Sequence, residues 1–443
     1  MLNCCRSTSQ ITGTGQPGQA PVYGTQGVPS GNVNPGVVRF GAASWSDSNN
    51  NFWLFGGYSI APQPFKGDLW KYDVATNEWT WMKGTQQGDY PGNFGVMGVE
   101  DPSNLPPAKQ FCQAAWTDSS GNFWQFGGES STGSMDDLWR YNVTTNNWTW
   151  MKGSNVCCAQ AVYGAMGVED PSNTPGARKA LIYWTDDQGM FWLFGDESRK
   201  SDLWRFNPAT NNWAWMGGTP ATFNGGSYGM QCTADSTNLP PGRVFQSSCW
   251  TDDNGDFWMF GGQFFGSVDK SNDLWKYDVS EGEWMWVSGS NVTGVSGSYG
   301  TQGVSSPMNQ VPSRTGSVGW SDNNGDFWIF GGYNANNDAF NDVWRFTPDT
   351  TCGMISTGDN ELKADDWNLF MDGSELNITH NFDNELQVAL YNLAGQEVYR
   401  ARVPEGVRHV RMNIGTLPAG IYSSVLVSGT NFISAKKVLL QSY

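Results

Sequence analysis

Histidine is almost absent from this sequence. Only His380 and His409 occur among the 443 residues, so residues 1–379 contain no imidazole. A His-based Ser or Cys triad needs that group as its general base, and His-ligated zinc or copper needs it as a metal ligand. These chemistries are therefore excluded from residues 1–379.

Positive charge and long apolar runs are also scarce. Lys and Arg number 25 against 42 Asp and Glu, which gives a formal net charge of −17, and no basic cluster stands out. Such a surface repels phosphate backbones, so nucleic acid is not expected as a partner. No apolar run reaches the roughly 18–20 residues that span a bilayer, and "MLNCCRSTSQITGTG" lacks the apolar core of a signal peptide. We therefore expect no transmembrane segment and no signal peptide within this sequence.

The cysteines are too sparse for a disulfide scaffold, although their even number allows a few bridges in an oxidising compartment. The eight are Cys4, Cys5, Cys112, Cys157, Cys158, Cys232, Cys249 and Cys352. The adjacent pair Cys157-Cys158 lacks the CxxC spacing of a zinc knuckle or a redox motif. The sequence therefore predicts neither a zinc centre nor a redox centre at these residues.

Glycine and tryptophan, by contrast, are abundant, with 55 and 24 residues, and they recur with a period of about 70 residues. The stretch "GDFWIFGG" (325–332) has near-copies that begin at 50, 121, 189 and 255. Each unit also has a cation at its start, and an aspartate is the first residue of a later segment such as "DLWKYDVATNEWTW". We call these residues registered because they occupy equivalent positions in the five units. The registered cations are Arg39, Lys109, Arg178, Arg243 and Arg314, and the registered aspartates are Asp68, Asp137, Asp202, Asp273 and Asp342.

Aromatic and branched residues alternate between Gly, Asn and Asp turns, which predicts four short strands in each unit, here named a to d. No helical period appears. A sheet that cannot bury its own faces must stack on its neighbours, so we predict an all-β fold, a five-bladed β-propeller of four-stranded antiparallel blades. The propeller is assigned to residues 1–355, with blades at about 39–85, 109–153, 178–218, 243–289 and 314–352.

The fifth unit breaks off before its strand d, at "DVWRFTPDTTCGM". Residues 1–14 lie where a preceding strand d would stand, and we expect them to close the ring and remove its free edges. Closure would bring Cys4 or Cys5 near Cys352, and a Cys5–Cys352 disulfide would link the two ends of the ring covalently. The alternative is a ring of more than five blades, of which an N-terminal part is absent from this sequence.

Three features resemble kelch repeats over about residues 15–355: the glycine pair after an apolar strand, the "YD" or "WRF" strand, and the "TNxW" turn. The units exceed the usual kelch length because the connections from strand d to strand a are long, as in "YGAMGVEDPSNTPGAR" (163–178), and we interpret these as extra loops and not extra strands. Kelch-type propellers include copper radical oxidases, whose histidine ligands residues 1–379 lack. We therefore expect no such oxidase activity.

The repeat ends before the C-terminal segment. After a linker at residues 356–366, short strands alternate with turns over residues 367–443, which predicts a small Ig-like β-sandwich. The segments "LYNLAGQEVY" (390–399), "LPAGIY" (417–422) and "AKKVLL" (435–440) resemble the C-terminal sorting domain of Bacteroidota type IX secretion cargo. "NLFMDGSELNI" departs from the proline-rich opening usual in that family. The resemblance implies contact of residues 367–443 with the secretion machinery and a location outside the cell or on the outer-membrane surface.

No catalytic residue is predicted. The registered aspartates recur in every blade, so we expect each to cap a turn or to pair with the registered cation. The turn from strand a to strand b in "TDDNGDFW" (251–258) resembles the Asp-box of sialidases, a turn-stabilising motif. Asp252, Asp253, Asn254 and Asp256 could hold calcium there, although the bidentate Glu of an EF-hand is missing, and solvated Asx turns are the alternative. Apart from calcium, no cofactor is expected.

In a four-stranded meander the b-to-c and d-to-a connections emerge on one face, named here the loop face. The a-to-b and c-to-d turns form the opposite turn face. The b-to-c connections differ between blades, and variable loops on a rigid scaffold are where recognition usually occurs. We expect the loop face to bind an extracellular polysaccharide or a protein through aromatic residues, which could equally cover the blade tops. These are Tyr58, Phe65, Phe264, Phe265, Tyr333 and Phe340.

Two other functions fit the sequence. One is a carboxylate-dependent polysaccharide hydrolase or lyase, which would require buried acids found in one or two blades only, with raised pKa values. The other is a structural surface protein that assembles with itself.

Overall fold

The structure is a computed structural model. It describes residues 19–36, 39–59, 64–111, 113–222, 224–243, 247–263, 270–306, 309–348, 367–372, 375–380, 386–391, 397–414, 417–418, 420–428 and 431–440. The chain divides into two compact units, Met1–Gly294 with Ser313–Pro348, and Val295–Pro312 with Asp349–Tyr443. Within the described residues, no helix is long and apolar enough to cross a membrane.

The first unit contains the blades, and the first two follow the predicted meander. Blade 1 consists of β1 (Ala43–Ser46), β2 (Phe52–Phe55), β3 (Gly67–Asp73) and β4 (Glu78–Thr85). Blade 2 consists of β5 (Ala114–Thr117), β6 (Phe123–Phe126), β9 (Leu138–Asn142) and β10 (Asn147–Lys152), with a small hairpin of β7 (Glu129–Ser130) and β8 (Gly133–Ser134) in its b-to-c connection. Neighbouring strands in each blade are antiparallel.

The remaining blades repeat this order. Blade 3 consists of β11 (Ile182–Thr185), β12 (Phe191–Phe194), β13 (Ser201–Asn207) and β14 (Asn212–Thr219). Blade 4 consists of β16 (Ser248–Thr251), β17 (Phe257–Gln263), β18 (Lys270–Asp278) and β19 (Glu283–Ser288), preceded by the short β15 (Ala234–Asp235). In blade 5 the described strands are β20 (Val318–Ser321), β21 (Phe327–Phe330) and β22 (Val343–Phe346). The predicted five-bladed β-propeller is confirmed.

Three sequence predictions about the ends of the propeller lie outside the described residues. They are the closing strand at residues 1–14, the disulfide between Cys5 and Cys352, and the linker at residues 356–366. They stay predictions.

Large aromatic side chains fill the space between consecutive blades. Blades 1 and 2 share one cluster that includes Trp45, Phe55 and Trp148, and blades 2 and 3 share another. The alternation of the sequence explains this arrangement, because successive side chains of a strand point to opposite faces and both faces of an inner blade are covered. Burial of these rings is the main stabilising term of the propeller.

The long d-to-a connections run along the outer edge of the next blade, which the sequence did not predict. Their backbone pairs with strand d, and before blade 4 this pairing is regular enough to form β15. The interpretation as extra loops was incomplete, because edge pairing uses backbone groups and needs no alternation of side chains. These contacts protect the blade edges. The bonds run from the amides of Gly27, Gly98, Gly167 and Cys232 to the carbonyls of Trp81, Trp150, Trp215 and Trp286, at 2.9, 2.8, 2.7 and 2.8 Å.

The second unit contains two small sheets. One has the order β23 (Trp367–Asp372), β24 (Glu375–His380), β27 (His409–Asn413), and the other β26 (Glu397–Val403), β25 (Leu386–Tyr391), β28 (Gly420–Ser428), β29 (Asn431–Leu440). Buried side chains from both sheets, including Ile378, Val388 and Met412, form one apolar cluster. Two sheets that share a core form a sandwich, as the alternating pattern predicts.

Candidate functional site

Each blade contains an ion pair between its registered cation and the registered aspartate of strand c. The N–O distances are 2.5–3.1 Å in all five blades. The tryptophan two residues after each aspartate donates its Nε1–H to the same carboxylate, at 2.7–2.9 Å. The predicted pairing is confirmed. Because the carboxylate oxygens are engaged in this way, the registered aspartates form part of the blade frame.

The electrostatics of the pairs follow from their burial. Burial alone raises the pKa of Asp273, but the Arg243 guanidinium and the neighbouring donors outweigh it and hold this pKa below its usual value. Asp68 and Asp202 behave in the same way opposite Arg39 and Arg178. Three of these carboxylates also accept a tyrosine hydroxyl, from Tyr23, Tyr163 and Tyr228.

This arrangement predicts acid sensitivity. A carboxyl group whose folded-state pKa is depressed stabilises the fold fully above its unfolded pKa of about 3.9, and the contribution is lost as pH falls toward the folded value. We therefore expect the urea midpoint of the propeller, followed by tryptophan fluorescence, to hold between pH 7 and 5 and to fall steeply below about pH 4. The Asp273→Asn variant should show a smaller fall. Equal midpoints at pH 5 and pH 2.5 in the parent protein would contradict the prediction.

The glycine pair of the recurrent "FWxFGG" segment joins one blade to the next. Gly57 has a φ of +96°, and a Cβ there would lie 2.8 Å from the carbonyl oxygen of Arg39. Its amide donates to the carbonyl of Lys109 in blade 2 at 2.7 Å. Gly128 and Gly262 make the same bond to the following blades, at 2.9 and 3.0 Å. At these three junctions the strand and the close backbone approach are both needed, which explains why the segment recurs.

On the turn face, the a-to-b turns of the five blades are equivalent Asx turns. In each, an aspartate accepts the Nε1–H of the tryptophan six residues later at 2.8–2.9 Å. In the turn proposed for calcium, Asp252 accepts the amides of Asn254 and Asp256 at 2.9 and 3.0 Å, and Asp256 pairs with Lys276 at 2.7 Å. Among the described residues, no group of three or more His, Cys, Asp or Glu side chains could hold a metal ion. These contacts form an Asx turn, and calcium binding by Asp252, Asp253, Asn254 and Asp256 stays a prediction.

Four of the six candidate ligand-binding aromatics of the loop face lie among the described residues, and these four are half-buried. In blade 1, the backbones of Tyr58 and Phe65 form an antiparallel β-bridge, and their ring centroids are 6.4 Å apart. In blade 5, Phe340 lies 4.0 Å from the Arg314 guanidinium, and Tyr333 lies 5.4 Å from the ammonium of Lys270. The four therefore cover the blade tops in part and leave part of each ring accessible. Phe264 and Phe265 lie outside the described residues.

The loop face contains a groove of about 260 Å³ that the sequence did not predict. It lies beside the hairpin of blade 2, and it is lined by Pro91, Pro107, Ser130, Ser131, Thr132, Met135, Asn155, Val156 and Cys157. Three separate connections supply these residues, so no single sequence motif predicts the groove. Its hydroxyl, amide and apolar groups suit a neutral polar ligand.

A polar cluster lies between the same hairpin and blade 3. Lys179 contacts Glu129 at 2.5 Å, while its backbone amide donates to Glu197 at 2.9 Å. Ser134 donates to the other oxygen of Glu197 at 2.7 Å. This cluster holds the hairpin in place and so shapes the groove.

The described cysteines have distinct states. Cys232 is disulfide-bonded, whereas Cys157, Cys158 and Cys249 are free thiols. Burial raises the pKa of Cys249 to about 11, which disfavours the thiolate form at neutral pH.

The fold and the site together define the class: a five-bladed β-propeller whose registered polar groups are structural, followed by a β-sandwich. The C-terminal segment gives a second finding, because residues 373–441 match the family described as the secretion system C-terminal sorting domain. The predicted resemblance to type IX sorting domains is confirmed. The domain indicates contact with the secretion machinery and export to the cell surface or the extracellular space.

Other proteins share shorter or weaker similarity. A stretch of 127 residues is 28% identical to multiple epidermal growth factor-like domains protein 8 of Homo sapiens and of Rattus norvegicus. The Mus musculus protein is 29% identical over 111 residues. These stretches cover 25–28% of this chain and 4% of those proteins. A solved structure titled "Structure of YjhT" has a TM-score of 0.44 and 13% identity, covering 70% of this chain and 82% of that one.

Proposed function

We propose that this exported protein is a binding protein whose loop face recognises an extracellular ligand. The observation that carries the proposal is the contrast between the two faces. The turn face repeats one Asx turn five times, whereas the b-to-c connections differ between blades and hold partly accessible aromatic rings above a rigid frame. Kelch-type ancestry is consistent with this role and stays a prediction.

The ligand class that fits best is a neutral polysaccharide. Partly exposed tyrosine and phenylalanine rings stack on sugar faces, and the hydroxyl and amide lining of the loop-face groove matches sugar hydroxyls. The formal net charge of −17 disfavours acidic polysaccharides through like-charge repulsion. A protein ligand is the alternative outcome of the test below.

Binding is favoured over carboxylate catalysis by the role of Asp136. Burial raises the pKa of this carboxyl group, as a catalytic acid would require. Yet Asp136 accepts the amide of Ser154 at 3.0 Å, and in blade 4 the neutral Asn272 accepts the amide of Ser290 at 3.1 Å. The position is therefore a structural acceptor that an amide also fills. We propose that the protein is not an enzyme.

The proposal is tested by binding of the full chain to an array of neutral polysaccharides. We expect binding, and we expect the Tyr58→Ala/Tyr333→Ala double variant to bind at least about 10-fold more weakly, because each lost stacking ring costs roughly 1 kcal/mol. Val74→Ala, an exposed apolar residue of a turn-face loop, is the matched control and should bind normally.

Two results would contradict this proposal. One is the absence of binding by the folded parent protein, which would favour a protein ligand. The other is the release of new reducing ends from a bound polysaccharide, which would show hydrolysis.

A further inference from the structure

The four junctions between consecutive blades use one contact. The strand a tryptophan of one blade stacks on the first phenylalanine of strand b in the next blade, with centroids 5.0–5.2 Å apart and planes within 13°. Its Nε1–H donates to a tryptophan carbonyl of that next blade at 2.9–3.3 Å. The pairs are Trp45–Phe123, Trp116–Phe191, Trp184–Phe257 and Trp250–Phe327.

The fifth tryptophan and the first phenylalanine of this series lack such burial. Trp320 of blade 5 is 42% exposed, whereas the other four tryptophans are 3–7% exposed. Phe52 of blade 1 is 55% exposed, whereas its four counterparts are at most 1% exposed. Trp320 instead stacks on Trp328 of its own blade, at 6.2 Å. In the described part of the chain, each ring presents to solvent the surface that its counterparts bury.

Whole blade faces surround these two rings. On blade 5, Val318, Phe330 and Val343 are exposed beside Trp320, and this surface is named the trailing face. On blade 1, Ser44 and Ser46 are exposed beside Phe52, and this surface is named the leading face. The leading face contains a groove of about 430 Å³ lined by Ser44, Trp45, Ser46, Phe52, Trp53, Leu54 and Trp79. Apolar surfaces of this kind mark interaction sites in soluble proteins.

We propose that copies of this chain associate head to tail, with the trailing face of blade 5 on the leading face of blade 1 of a second copy. The occupant is a second copy because the chain carries both halves of a contact that it forms four times internally. Trp320 takes the position of Trp250, and Phe52 takes the position of Phe327. The two faces differ, so the contact is heterologous, and such contacts close into a ring or extend into a chain of copies. This inference is independent of the proposed polysaccharide binding.

The test is the mass of the full chain in solution, by light scattering during size exclusion. We expect the parent protein to have a multiple of 48.7 kDa at micromolar concentration. Trp320→Asp and Phe52→Asp should each weaken association at least about 30-fold, because a central aromatic contact is removed and a charge is placed in the interface. Both side chains are exposed within one chain, so near-ultraviolet circular dichroism should show intact folding. Val74→Asp is the matched control, since Val74 is exposed on a turn-face loop.

Mixing the two variants sharpens the test. An equimolar mixture should recover pairs, because one copy supplies an intact Trp320 and the other an intact Phe52. Recovery is specific to a head-to-tail contact, and a mixture that stays monomeric overturns it. A monomeric parent protein also overturns the proposal. If that monomer loses stability in both variants, the two faces meet within one chain.

Discussion

Replacing Asp273 with alanine is expected to destabilise the propeller by about 3–5 kcal/mol, the usual cost of removing one partner of a buried ion pair. The Arg243 guanidinium would remain buried, 1% exposed, with its charge uncompensated. Trp275 and Tyr228 would each lose an acceptor at the same time. The loss is large because the carboxylate satisfies several buried donors at once.

The change in free energy of unfolding is measured by urea denaturation followed by tryptophan fluorescence. All tryptophans except Trp367 belong to the propeller repeat, so this signal reports mainly on the blades. Arg205→Ala is the matched control, because its pair with Glu169 is partly exposed at 3.6 Å and should contribute about 0–1 kcal/mol. Equal losses in the two variants would show that the buried pair has no special role.

Replacing Trp184 with alanine is expected to cost about 3–5 kcal/mol, the range for a large aromatic residue in a packed core. Trp184 stacks on Phe257 at 5.2 Å and donates to the carbonyl of Trp258 at 3.2 Å, so blades 3 and 4 both lose contacts. Trp320→Ala removes the same residue type from the same strand position. Its cost within one chain should be about 1 kcal/mol, because much of the ring already contacts water.

The two variants are compared in parallel by urea denaturation across a dilution series. The cost of Trp320→Ala should rise with protein concentration if copies associate through the trailing face, because association stabilises the folded state by mass action. The cost of Trp184→Ala should not depend on concentration in this way. A large, concentration-independent cost for Trp320→Ala would place that ring in an intramolecular core.

Much of the frame could be predicted from the sequence because it depends on local, repeated signals. The period, the turn residues and the alternation indicated the strands, and the recurrence in every unit of a cation and an aspartate, such as Arg243 and Asp273, indicated their pairing. The Asp-box resemblance indicated the turn that Asp252 forms with Trp258. Each signal has a short-range physical cause, either backbone propensity or a fixed offset along a strand.

The candidate site was less predictable. The sequence placed Tyr58 and Phe65 in a loop, but it could not show that their rings make an edge-to-face contact. It missed the groove beside Ser130 and Asn155, since three distant connections build it. Edge pairing by the d-to-a connections was also missed, because backbone hydrogen bonds leave no residue pattern in a Gly- and Pro-rich segment.

The sequence by itself determined the repeat, the all-β fold, the registered ion pairs and the sorting domain. Only the tertiary structure decided which copies of a repeated side chain are buried. Trp184 and Trp320 occupy the same place in their units, yet one is enclosed and the other is 42% exposed. The reason is that burial depends on the neighbouring blade, whereas the local sequence of a repeat is the same whether or not a neighbour is present.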